Sequence, residues 1–396
     1  MPVNLTKLDW LCFDSYNAID MLNLAAIDSA MRKLGLNGKA LADACGVSKE
    51  ATSNWLNGES IPRPSKLARL AEVLGIPVES LLSMAQLPAP VFAYRTKLNK
   101  PVTGLLREAA EEQARHLEQL LPFVEATSEF EPPLMRNPSL EEERIRHAAN
   151  AVRSSLNLSH TDVLSNAHLE SLFRTFGAIL VPVLWGLNKE KHENALTVYL
   201  PESKTSWVVF NLGCKQDDYK YWLAHEYGHC LTLHGLSEED GEIFAEKFAQ
   251  HLVFPDEVAN ECLEKIRLNG DGRNTVKAYA ESYEISVITV LRAVDRLSEQ
   301  LFGQKTGLDT KSFYAAWNAT RKTISSMANV IFGSDAPLPQ EYVEKSEALY
   351  KTPVFRALEN FQTAEGGRNP AFVANTLNIG LGDAVSLSLY LWERQC

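Results

Sequence analysis

The sequence predicts a mainly helical protein with one α+β region, and three observations carry that prediction. Between residues 21 and 86, short amphipathic stretches repeatedly end in glycine, as in AIDSAMRKLGL, NGKALADACG, SKEATSNWLNG and SKLARLAEVLG, with PVESLLS after them, which predicts a five-helix bundle. Further on, the apolar runs ILVPVLW, ALTVYL and SWVVFN predict a small sheet leading into a helix that contains YWLAHEYGHC. Beyond residue 300 the periodicity is helical again, through FYAAWNATRKTISSMANVIF, YVEKSEALYKTPVFRALENF and AVSLSLYLW. The architecture expected is an N-terminal helical bundle, a central α+β domain and a C-terminal helical region.

A length of 396 residues suggests two or three domains, with ample chain to bury a core. The hydrophobic share of 45% and charged share of 22% are those of an ordinary soluble globular protein. A net charge of −11 argues against a polyanion binder acting with its whole surface, so nucleic-acid contact must be local. Cys12, Cys45, Cys214, Cys230, Cys262 and Cys396 are scattered without a C-x-x-C pair, the pattern of reduced thiols in a cytoplasmic protein. The first residues lack a basic region before an apolar one, and no window approaches the roughly eighteen apolar residues of a membrane span. No signal peptide and no membrane association are expected.

Residues 1–20 are read as an arm or a short helix to which no role is assigned, and residues 21–86 as the first domain. Asn37 is placed to cap a helix that buries Leu41 and Ala42, Gly46 to end it, and Ser48 to cap the next helix after a tight turn. That is a helix-turn-helix, although a bundle used for protein contact has the same local pattern. ALADACGVS, SNWLNG, the proline of ESIPRPS and LARLAEVLGIPVESLL together resemble the Cro/phage-repressor (XRE) family. The resemblance implies that the second helix of the motif enters the major groove of an operator in double-stranded DNA. It places Lys49, Glu50 and Asn54 at base-reading positions, with Ser53, Asn57 and Arg63 touching backbone. Lys49 suits guanine, Asn54 adenine, and Glu50 the amino group of cytosine.

Residues 87–140 are read as a linker and an amphipathic helix. QLPAP breaks the chain, and LLREAAEEQARHLEQLLPFVEA sets Leu105, Leu117, Leu120 and Leu121 among charges, giving a spacer or the dimerisation helix of a homodimer, with His116 solvated. EFEPPLMRNPS closes the segment.

Residues 141–300 form the central domain, and its chemistry lies in His225, Glu226 and His229. On a helix, residues four apart lie one above the other, so both imidazoles can reach one metal ion with Glu226 beside it. Two imidazoles and one carboxylate leave zinc an open fourth position, where bound water has a pKa of about 7. Glu226, displaced by roughly 100° around the helix from His225, is placed to take that water's proton rather than to ligate. This is the working core of a zinc metallopeptidase.

AHEYGHCLTLHG, then EIFAEKFAQHLVFP, then AYAESYEISVITVLRAVDRL resemble the ImmA/IrrE family of metallopeptidases over roughly residues 141–300. The resemblance implies a zincin-like fold, zinc as cofactor, a protein substrate such as another regulator, a partner or the chain itself, and a third ligand from the second stretch. There Phe244, Ala245, Phe248, Ala249 and Leu252 form one apolar stripe. Glu242 lies at its edge and Glu246 about 40° further out, which makes Glu242 the better placed ligand and Glu246 the alternative. Glu246 stands where the family usually has asparagine, and is expected to hydrogen-bond a ligand histidine. His234 matches an additional family histidine with a packing role, and His251 is expected to be structural.

Residues 301–396 are expected to be a C-terminal helical domain, with no motif to assign its role. The whole reads as a cytoplasmic DNA-binding transcriptional regulator with a zinc endopeptidase domain. The alternative is a non-proteolytic, antitoxin-like repressor whose metal site is structural or vestigial.

Overall fold

The computed structural model describes residues 22–57, 60, 62, 64–76, 81, 91–94, 104–124, 134–135, 137–184, 195–201, 203–232 and 235–394. The chain divides into two compact units, residues 15–89 on one hand and residues 1–14 with 90–396 on the other.

The smaller unit contains α1 (Leu24–Leu34), α2 (Gly38–Cys45), α3 (Lys49–Leu56) and α4 (Pro64–Leu74). Each of the first three begins at a side-chain cap: Asn23, Asn37 and Ser48 accept from the backbone N–H three residues on, at 2.9, 2.9 and 3.1 Å. Gly35 and Gly46 end α1 and α2 in the left-handed conformation, which a residue with a Cβ adopts at a cost. Ile27, Leu41, Trp55, Leu70 and Leu74 meet in one core. The fifth expected helix falls outside the described residues except at Leu81, which is buried in that core.

The larger unit is built on a four-stranded sheet of order β1-β3-β4-β2, made of β1 (Val91–Tyr94), β2 (Ile179–Val183), β3 (Ala195–Leu200) and β4 (Thr205–Asn211). β3 lies antiparallel between β1 and β4, and β2 runs parallel to β4. Pro182 is tolerated because β2 is an edge strand, where a missing N–H costs no ladder bond. Every residue of β2 and β3 is buried, so the sheet is covered on both faces and shows no polar alternation.

Two expectations about domain organisation are corrected here. Residues 87–140 are not a spacer: β1 joins the sheet, and α5 (Gly104–Leu120) buries Ala110, Ala114, Leu117 and Leu120 in the main core. The apolar stripe of α5 is spent on α17 (Pro370–Leu377), where Gln113 donates to the Thr376 carbonyl at 2.9 Å and His116 lies over Phe372. Residues 301–396 are likewise no separate domain, since their helices share that core. Tyr342 on α15 (Pro339–Tyr350) donates to the Pro182 carbonyl, and α16 (Val354–Ala364) also packs on β2. A further helix of this region, α18 (Leu381–Glu393), packs on α17.

The other α-helices of the larger unit are, in chain order, α6 (Glu142–Ser155) and α7 (Asn166–Phe176) before β2, then α8 (Gln216–Thr232), α9 (Glu238–Val253), α10 (Asp256–Asn269), α11 (Gly272–Tyr283), α12 (Val287–Phe302), α13 (Thr310–Arg321) and α14 (Met327–Phe332) after β4. Arg153, fully buried on α6, donates to the carbonyls of Leu252, Ser159 and Asp162, which satisfies its guanidinium and the end of α9 at once. His251 on α9 is also buried, in agreement with its expected structural role. It stands 2.9 Å from Glu142 Oε1 and 3.3 Å from Asp256 Oδ1, and Arg296 of α12 binds both carboxylates.

This cluster ties four helices together and makes stability depend on pH. Burial pushes the His251 pKa down, but hydrogen bonds to Asp256 and Glu142 more than offset it and raise the group above its ordinary 6.5. The hydrogen bond from His251, followed by Lys247, holds Glu142 at about 2, against the opposing effect of burial. A raised histidine contributes stability that is complete below 6.5 and is lost as pH rises through its folded pKa. A depressed carboxylate contributes stability that is complete above 4.5 and is lost as pH falls toward 2. The cluster should therefore stabilise most between those ordinary values. Urea unfolding of wild type and His251→Gln across pH 4 to 9 checks this, and the difference between them should shrink on the alkaline side.

Candidate metal centre and nucleic-acid interface

α8 carries Asp217 and Asp218 in its first turn, where carboxylates suit the positive end of the helix dipole. From Tyr219 onward it is almost wholly buried, because it is enclosed by β3, α7, α9 and the C-terminal helices. Trp317 on α13 donates to Asp217 at 2.8 Å and Arg321 pairs with Asp218, while Tyr219 and Tyr350 hydroxyls meet at 2.9 Å. These contacts fix the helix before it reaches the histidines.

α9 approaches α8 at Gly228, where a Cβ would stand 3.0 Å from the Ala245 Cα and 3.2 Å from Phe248. The missing side chain lets the two backbones close. That approach brings Glu242 over the histidine pair. His229 Nε2 lies 2.9 Å from His225 Nε2 and 3.0 Å from Glu242 Oε1, and His225 Nε2 lies 3.5 Å from Glu242 Oε2. Glu242 is thus the carboxylate that joins the histidines, as its position on the helical stripe predicts.

The donor set fits a zinc ion. Ligands about 2.0–2.2 Å from a tetrahedral centre stand about 3.3–3.6 Å apart. The two imidazole nitrogens at 2.9 Å, and the contacts of His229 with Glu242 Oε1 at 3.0 Å and of His225 with Glu242 Oε2 at 3.5 Å, lie within or somewhat inside that spacing. Glu242 Oε1 is buried without a well-formed hydrogen bond although an imidazole nitrogen is near it, as expected of atoms aimed at a common point rather than at each other. Burial alone would raise the Glu242 carboxyl, but the two imidazoles outweigh it and hold the group well below the usual carboxylate range. Only Glu242 among the three is appreciably exposed, at 32% of its side chain, so the site opens on that side.

Glu226 is buried and is not one of the three grouped side chains. Its Oε2 accepts from the Thr197 hydroxyl on β3 at 2.7 Å. Sequence reasoning missed Thr197; its signal was the one aliphatic hydroxyl in the run ALTVYL. Cys230 beside Glu226 is held protonated, its thiol pushed far up by burial and then by the Glu226 charge.

Glu246 corrects an expectation. It binds Arg292 on α12 at 3.0 Å instead of a ligand histidine, because α12 brings a cation to that flank of α9. His234 lies outside the described residues.

In the smaller unit Lys49, Glu50, Ser53 and Asn57 are exposed and Asn54 is half-buried on one side of α3, opposite the buried Thr52 and Trp55. Glu50 sits in the first turn of α3, where a carboxylate is favoured by the helix dipole. Arg63 lies outside the described residues. Lys66 and Arg69 of α4 donate to the carbonyls of Ala44, Cys45 and Gly46 at 3.0–3.2 Å, which satisfies the end of α2 and fixes the turn into α3.

Residues 27–81 match the family model described as Helix-turn-helix. They form an XRE-type helix-turn-helix. No curated protein and no solved structure matches the chain. The helix-turn-helix makes this a DNA-binding chain, and no described helix is long and apolar enough to cross a membrane.

Two outcomes follow from these positions. His225→Ala, His229→Ala and Glu242→Ala should each abolish stoichiometric zinc binding, whereas Glu246→Ala should retain it; metal analysis after dialysis decides, and the reverse ranking of the two glutamates would move the site. On the DNA side, Lys49→Ala and Asn54→Ala should each cost about 1–3 kcal/mol on the operator and relax preference at one base pair. Equal losses on operator and random duplex would mean contact to phosphate alone.

Proposed function

We propose that this chain is a cytoplasmic transcriptional regulator that binds an operator through its helix-turn-helix and carries a zinc-dependent endopeptidase acting on a protein substrate. The observation that carries the second half is the convergence of His225, His229 and Glu242, with Glu226 held beside them by Thr197. His225, His229 and Glu242 would hold the zinc, which when bound would supply a water of pKa about 7 and a Lewis acid for the scissile carbonyl. Glu226 then serves as general base and passes the proton on to the leaving amine. Thr197 donates to one carboxylate oxygen of Glu226 and so helps hold the group in position. A base so positioned has no purpose at a purely structural site. The resemblance to ImmA/IrrE peptidases gives the same reading and points to another regulator, a partner or the chain itself as substrate.

The second reading is a repressor with a structural metal site, and burial of His225, Glu226 and His229 to 2% exposure or less favours it. Glu226→Gln separates the two. The amide preserves shape and leaves the ligands untouched, so zinc content and operator binding should not change, while proteolysis should fall at least 10²-fold. Regulation in cells that is identical with wild type and Glu226→Gln would sink the peptidase as an account of function.

A further inference from the structure

α8, α11, α12 and α13 border a cleft of about 560 Å³ in the larger unit, and none of His225, His229 and Glu242 lines it. Its volume falls in the range of small-molecule pockets, roughly 300–1,000 Å³. Asp217 of α8 reaches the cleft from the start of that helix. His225 follows eight residues later, about 12 Å along the axis at 1.5 Å per residue.

The wall of the cleft is apolar. Ile285, in the turn between α11 and α12, and Phe313 on α13 are buried beneath it, and Trp317 stands one turn beyond Phe313. Trp317 directs its N–H to Asp217 at 2.8 Å, so what its ring offers the cleft is apolar area. Such a wall suits a flat ring, because aromatic groups pair in stacked or edge-to-face arrangements.

The rim supplies charge. Arg273 and Lys277 are exposed one turn apart on the same side of α11. The carboxylates of the cleft have partners: Glu284 binds Lys220 at 3.0 Å, Asp217 accepts from Trp317, and Glu281 lies 3.7 Å from Lys277. Arg273 makes no ion pair among the described residues. Its guanidinium donates to the Ser312 hydroxyl and lies 5.3 Å from the centre of the Phe313 ring, which leaves most of its five donors beside the aromatic wall. A guanidinium fork matches a carboxylate through two parallel hydrogen bonds. With Lys220 counted against Glu284, the charges around the cleft balance, so one negative charge can be met by Arg273 while a doubly charged phosphate cannot.

We propose that this cleft is a small-molecule site for a monoanion with a flat apolar body, an aromatic or heteroaromatic carboxylate. Arg273 holds the carboxylate, and the ring lies against Phe313 and Trp317. Because Trp317 and Arg321 fasten α13 to Asp217 and Asp218, the occupant steadies the first turns of the helix that carries the histidines. No property of the metal centre enters this assignment, so it stands or falls apart from the peptidase reading.

Calorimetric titration of the full chain with probes of one shape tests it. 2-Naphthoate should bind at one site per chain, at least tenfold tighter than 2-naphthalenemethanol, with 2-naphthylmethylamine weakest. Arg273→Gln, at an exposed position, should bring naphthoate down to the affinity of the alcohol and leave the alcohol unchanged. Ala316→Trp, which fills the cleft from α13, should abolish binding of all three and keep helical circular dichroism; if it does not fold, the Arg273→Gln comparison decides. Saturating naphthoate should slow hydrogen exchange at residues 216–221, and unchanged exchange there would overturn the link to α8. The site itself would be overturned by absence of saturable binding or by binding that survives in folded Ala316→Trp. Equal affinity for naphthoate and the alcohol, or tighter binding of the amine or of 2-naphthyl phosphate, would overturn the ligand class.

Discussion

The candidate metal centre depends on how closely α8 and α9 approach, and Gly228 sets that distance. His225 and His229 are held one turn apart by helix geometry alone, but two ligands do not make a site. The third comes from a neighbouring helix and reaches them because a Cβ at position 228 would meet the Ala245 backbone at 3.0 Å. A methyl there must push the helices apart, and overpacking of this kind costs about 1–3 kcal/mol in a well-packed core. Helix propensity runs the other way, since Ala is favoured over Gly by about 1 kcal/mol in a helix interior. Close approach, not local preference, decides the residue.

That constraint explains the bulk of the larger unit. Two imidazoles and a carboxylate buried together are costly to desolvate, and their geometry must be maintained by surrounding structure. α8 is fixed at its start by Trp317, Arg321 and Tyr350, and from the side by Thr197. α9 is fixed at its end by Arg153 and by the cluster around His251. The C-terminal helices, which carry no recognisable chemistry, act through this support.

Legibility from sequence followed the range of the interactions. The helix-turn-helix was readable because its signals are local: Asn37, Gly46 and Ser48 each act within a few residues. The histidine pair was readable for the same reason, and Glu242 because the apolar stripe of α9 fixes which side faces α8. Glu246 was misassigned, since a helical angle places a residue on a flank without saying that α12 brings Arg292 there. β1 was lost altogether. VFAY is short, adjoins the proline-broken QLPAP, and finds its partner about a hundred residues later in the chain. The apolar stripe of α5 was visible, but periodicity cannot tell a dimer seam from a face buried within the same chain.

The two units have separate cores, so each can keep its own geometry whatever the other does. The chain passes between them twice, at residues 14–15 and at residues 89–90.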